Sequence, residues 1–270
     1  MWDALFFPPR EPASLGLMVR SAAKQRVSNH GAAPSFETPA FAALRRAPQD
    51  EADRRRRTLK ENMTTILITG FGPFPGAPYN PTEMLVRALG KLRRPALHDV
   101  TIVTHVFPVS YAAVDRDLPA LLAKHKPDAV LMFGLAARTK HIRIETRARN
   151  ALALMPDAAS ASLRRSQIAR AAPAARSLPA PMRQLLAAAR QARLPAALSP
   201  DAGRYLCNYV SWRAAEAAGK PAGPRLAAFV HVPLTARGPR PRRTGRRLTA
   251  QDLARAGTRI LLALTAAARR

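Results

Sequence analysis

The chain holds 270 residues, with 44 Lys and Arg against 17 Asp and Glu, a formal net charge of +27. A hydrophobic fraction of 47% excludes wholesale disorder, and no apolar run reaches the roughly 20 residues of a membrane span. The single cysteine, Cys207, excludes a disulfide-stapled secreted scaffold and points to a reducing cytoplasm. The charge excess would attract polyanions. Arginines are nevertheless scattered along the chain (Arg87, Arg138, Arg190, Arg213, Arg259) in a composition rich in Ala, Arg and Pro. That pattern favours drift toward GC-rich codons over a selected nucleic-acid partner.

Residues 1–62 carry Phe6-Phe7-Pro8-Pro9 and the run Arg54–Arg57 without a sustained helical or strand period. They make a poor secretory signal and read as an irregular extension or a mis-called start, with the folded domain beginning at Met63. From there strand and helix alternate. Thr65–Thr69 is a short apolar run of the kind buried on both sheet faces. Asn80-Pro81-Thr82-Glu83 reads as a helix start, with Asn as cap, Pro in the first turn and Glu reaching back. Val100–Val106 is β-branched and strand-like, a helix interrupted at Pro119 covers 112–125, and Ala129–Phe133 is another buried strand.

Ile142, Ile144 and Thr146 alternate with Arg143, Glu145 and Arg147, which predicts a half-exposed strand. Residues 157–180 read as a long loop. Helices follow at 181–193 and from Gly203 to Ala218, then a strand at Leu226–Val232, a basic loop at 236–247 and a last helix capped by Thr249. Strands separated by helices imply right-handed crossovers and a three-layer α/β/α sandwich, its central sheet mostly parallel and mixed.

Cys207 falls near the start of a predicted helix, where unpaired amides and the helix dipole favour a thiolate. Taken alone, a single cysteine is more often a small buried hydrophobe. His231 ends an apolar strand, where side chains line the crevice of an α/β sheet; it can take the thiol proton and return it to a leaving amine. Glu145, flanked by Arg143 and Arg147, reads in isolation as a surface ion pair, and as the orienter of an imidazole only beside a cysteine and a histidine. No His, Cys, Asp or Glu cluster has metal-ligand spacing, so no metal is expected. Gly70-Phe71-Gly72-Pro73-Phe74-Pro75-Gly76 fits no nucleotide loop, but its phenylalanines can wall a small apolar pocket.

Phe71, Phe74, Asn80-Pro81-Thr82, Pro108-Val109-Ser110-Tyr111, Glu145 with Asn150, Ser199–Asn208 and Phe229–Pro233 occur in one order. That order and spacing resemble the pyroglutamyl peptidase I family of cysteine peptidases, from Met63 to the end of the chain. The resemblance implies cofactor-free release of N-terminal pyroglutamate from peptides. Cys207 would be the nucleophile, His231 the general base and acid, and Glu145 the acid partner, with Phe71 and Phe74 holding the pyrrolidone ring. It also allows a homo-oligomer. The chain departs from the family's usual pattern at Gly134-Leu135-Ala136, where a glutamine is common, and in the 146–157 stretch. The alternative is therefore a weakly active or inactive member that binds an acidic partner through its arginines.

Overall fold

A computed structural model describes residues 63–163, 165–236 and 248–270. The expected N-terminal extension and most of the 236–247 basic loop lie outside the described residues. Six strands form one sheet in the order β2-β1-β3-β8-β4-β7. They are β1 (Thr64–Phe71), β2 (Val100–Phe107), β3 (Ala129–Leu135), β4 (Ile142–Glu145), β7 (Ala196–Ser199) and β8 (Leu226–Val232). The first four in that spatial order run parallel to one another. The pair β4–β7 is parallel within itself and antiparallel to β8, so the sheet is mixed as expected. A separate ribbon joins β5 (Arg147–Arg149) to β6 (Ala175–Ser177).

Side chains on successive strand residues point to opposite faces, and the two cores follow that period. Ile66, Ile68, Leu131, Phe133, Ile144 and Val230 face α1 (Pro81–Gly90), α3 (Met182–Gln191) and α5 (Ala250–Ala268). Leu67, Val130, Met132 and Phe229 face α2 (Tyr111–His125) and α4 (Leu206–Ala218). The result is the three-layer sandwich. Among the described residues no helix is long and apolar enough to cross a membrane.

Local chemistry sets the element ends. Asn80 caps α1 by accepting from the Thr82 amide at 3.1 Å, and its own amide group donates to Gly72 O at 3.0 Å. The Thr82 hydroxyl accepts from the Phe71 amide at 3.0 Å, so the helix start also clamps the end of β1. Glu83 does not reach back as expected. It pairs with Arg87 one turn on, at 2.9 Å. Pro119 lies inside α2 without ending it.

Three further expectations change. The helix expected from Gly203 begins at Leu206, since Gly203 adopts φ +84°, a left-handed conformation that no α-helix contains. The strand expected to be half-exposed over 142–147 stops at Glu145. It lies between β7 and β8, with Ile142, Ile144 and Glu145 buried. The loop expected over 157–180 carries β6, and the strand at Ala196–Ser199 had no sequence signal beyond small apolar residues.

Candidate active site

Residues directly opposite in an antiparallel pair share a face, and β4 and β8 are in such register at Glu145 with Phe229 and Arg143 with His231. Glu145, Arg143 and His231 therefore project toward the α2–α4 layer, away from Ile144 and Val230 in the other core. Helix α4 lies over that face with Cys207 as its second residue. Cys207, Glu145 and His231 come together there.

His231 is 5% exposed and donates from Nδ1 to Glu145 Oε1 at 2.7 Å, while Glu145 is fully buried. A carboxylate acceptor fixes the Nδ1–H side of the ring and leaves Nε2 facing elsewhere. Burial works against charge on this imidazole. The neighbouring Cys207, by charge and hydrogen bonding, and Glu145 outweigh it and raise His231 from 6.5 to about 9. The ring holds its proton at neutral pH. Phe229 packs edge-on against it, with ring centroids 4.9 Å apart.

The sulfur has room because β3 carries glycine beneath it. A Cβ on Gly134 would come within 2.7 Å of Cys207 Sγ and 2.5 Å of the Phe229 ring. Sequence reasoning did not single out Gly134, although a glycine in the interior of an apolar strand signals close approach by another group. It also missed Arg143, which contacts Glu145 Oε1 at 3.1 Å, and the role of Asn208.

Asn208 is fully buried and grips the chain that leaves β4. Its Oδ1 accepts from the Arg149 amide at 2.8 Å, and Nδ2 donates to the carbonyls of Arg149 and Ala151 at 2.8 and 3.0 Å. Successive helical residues point about 100° apart, so this neighbour of Cys207 anchors the helix in the protein while the thiol faces elsewhere. The Tyr205 side chain makes no cap, and the first amides of α4 have no intrahelical partner.

Asn150 and Asp157 hold the following loop. Asn150 accepts from the Ile168 and Ala169 amides at 2.9 and 3.0 Å. Asp157 accepts from the Tyr111 amide at 2.9 Å, which ties the loop to the start of α2. Burial opposes the Asp157 charge, but amides of Tyr111, Ala161 and Ala159 outweigh it and hold the carboxyl below the usual range.

The expected pocket phenylalanines differ in placement. Phe71 is 4% exposed and packs on Phe107 with centroids 5.8 Å apart, so it belongs to the core. Phe74 is half-buried in a tight loop closed by paired bonds with Ala77 at 3.1 and 2.8 Å. Both belong to the same apolar cluster as Cys207, Tyr205 and Phe229.

This geometry has relatives. Residues 64–239 match the family model described as pyroglutamyl peptidase. The chain belongs to the pyroglutamyl peptidase family. The pyrrolidone-carboxylate peptidase of Deinococcus radiodurans is 36% identical over 181 residues, 64% of this chain and 80% of that one. That of Thermococcus kodakarensis is 32% identical over 171 residues, 63% and 81% of the two chains. Among solved structures, pyrrolidone carboxyl peptidase from Thermococcus litoralis superposes with a TM-score of 0.68 at 28% identity, covering 76% of this chain and 94% of its own. A mutant of the Pyrococcus furiosus enzyme gives 0.67 at 26% identity, covering 76% and 99%. As a pyroglutamyl peptidase family member the chain is a cysteine-type peptidase.

Proposed function

We propose that this peptidase removes N-terminal pyroglutamate from peptides by thiol acyl transfer, in the reducing cytoplasm where a single thiol stays free. Cys207 is the nucleophile, His231 the acid and base, and Glu145 the orienter of His231. The observation that carries this reading is the buried contact between His231 Nδ1 and Glu145 Oε1, with Cys207 acting on the same ring.

In the first step the Cys207 thiolate attacks the pyroglutamyl carbonyl and the C=O pair moves onto oxygen. In this reading the Leu206 and Cys207 amides, at a helix start that has no side-chain cap, donate to that oxyanion. As the tetrahedral species collapses, the C–N bond breaks and His231 gives its Nε2 proton to the leaving amine. The neutral imidazole then draws a proton from water, and the resulting hydroxide attacks the thioester. Pyroglutamate leaves, and the thiolate–imidazolium pair is restored. Every step is a proton or acyl transfer, so the proposed chemistry calls for no redox partner.

Phe74 and Phe71 hold the ring in this reading. Phe74 is the sharper probe, because truncating the core residue Phe71 would cost about 3–5 kcal/mol of stability by itself. The test is hydrolysis of a fluorogenic pyroglutamyl amide by the wild type, Cys207→Ala and Phe74→Ala. Turnover lost in Cys207→Ala, and a KM raised more than kcat is lowered in Phe74→Ala, support the proposal. An inactive wild type, or a Cys207→Ala variant as fast as wild type, overturns it.

A further inference from the structure

We propose that Arg143 is a positioning residue that shares the Glu145 carboxylate with His231, sets the proton affinity of that imidazole and ties it to the loop leading to Cys207. This inference rests on the catalytic reading above and concerns a side chain to which that reading gives no part.

The contacts converge on one oxygen. Glu145 Oε1 receives His231 Nδ1 at 2.7 Å and lies 3.1 Å from Arg143 Nε. The other oxygen, Oε2, is buried without a hydrogen-bond partner, so the two cations compete for the same acceptor. The far end of the guanidinium crosses to the next segment. Its Nη2 donates to Ser199 Oγ at 2.6 Å and to the Asp201 carbonyl. Ser199 ends β7, and residues 200–205 run from it into α4. A planar, permanently charged fork can hold a carboxylate at one edge and a loop at the other; an ammonium cannot.

The electrostatic consequence has a definite sign. Among the described residues, the ionisable groups that act on the Glu145–His231 pair are Arg143 from β4 and Cys207 from α4. The Asp201 carboxylate is engaged with Arg149 at 3.2 Å. The Arg143 side chain is 23% exposed, against none for Glu145, so its field on the carboxylate is only partly screened by solvent. A fixed positive charge on Oε1 weakens the hold of Glu145 on the imidazolium proton. Arg143 thus keeps His231 acidic enough to release its proton to the leaving amine.

The experiment is the pH dependence of kcat/KM for a pyroglutamyl amide in wild type, Arg143→Gln and Arg143→Lys. Arg143→Gln is expected to move both limbs toward alkaline pH by about one unit and to lower kcat by about tenfold. Arg143→Lys returns the limbs to their wild-type positions without recovering the full rate, because the charge is restored and the loop tether is not. A residue that only stabilises the fold would lower yield or melting temperature and leave the limbs in place; that result overturns the proposal. NMR titration of the His231 ring in Cys207→Ala, with and without Arg143→Gln, gives a readout independent of turnover. There the ring titrates about one unit higher without the guanidinium, and coincident titrations reject the coupling even if the wild type fails to hydrolyse the amide.

Discussion

Two helix starts in this molecule are built in opposite ways. Helix α5 opens with Thr249 accepting from the Asp252 amide at 3.1 Å and Asp252 accepting from the Thr249 amide at 3.0 Å, a complete reciprocal cap. Helix α4 opens at Tyr205 with no side-chain cap. Capping typically contributes about 1 kcal/mol, so leaving it out is a measurable sacrifice. The difference teaches that α4, which has no side-chain cap, is secured through Asn208, one residue past the thiol, and in the proposed reaction its first amides serve the oxyanion. Function and anchorage sit side by side on one helix turn.

Substitutions at the two starts should separate these roles. The largest effect is expected at the acid partner of the α4 site: Glu145→Gln should lower kcat/KM by about two to four orders of magnitude, since the imidazole loses both its orienter and its counter-charge. Steady-state kinetics checks this. Next comes Gly134→Ala, which forces a methyl against Cys207 Sγ and the Phe229 ring. Overpacking of this kind costs about 1–3 kcal/mol, so both the melting temperature and the alkylation rate of Cys207 by iodoacetamide should change. Asn208→Ala, which strands the backbone groups of Arg149 and Ala151, should lower unfolding free energy in urea by about 2–3 kcal/mol. Thr249→Ala on α5 should cost about 1 kcal/mol and leave kcat/KM unchanged. If it slowed catalysis, the contrast between the two starts would fail.

The pH dependence follows from His231. Its folded value of about 9 lies above the ordinary 6.5, so its charged interactions stabilise the native state fully below 6.5. That contribution is lost as pH rises through 9. Activity should fall over the same alkaline range, as the ring loses the proton destined for the leaving amine. Glu145→Gln should weaken this dependence of melting temperature on pH.

Much of this architecture was legible in the residues. Short apolar runs such as Ala129–Phe133 and Leu226–Val232 announced central strands because their length and continuous apolarity suit a sheet covered on both faces. The strand of Ala196–Ser199 was not legible. It is short, lies at the sheet edge and carries small side chains that a loop would also carry. Glu145 was misleading by itself, since Arg143, Glu145 and Arg147 imitate a solvated strand. Depth came from β7 and β8 on either side, which no local pattern encodes. Cys207 and His231 stood out by residue type and position. Gly134 carried a signal that the strand reading passed over, and Arg143 carried none, because an arginine two residues before an acid looks the same on a surface as beside a buried carboxylate. Phe71, expected from its loop sequence to wall a pocket, is the last residue of β1 and lies in register with Phe107 of β2, a pairing that the loop pattern does not reveal.

The grip of Asn208 on residues 149–151 also bears on how the enzyme ages with heat. The thiol borrows its aim from a small ribbon that the main sheet does not own. Warming that frays this ribbon would blunt the blade before the handle melts, and inactivation would then precede any loss of helical signal.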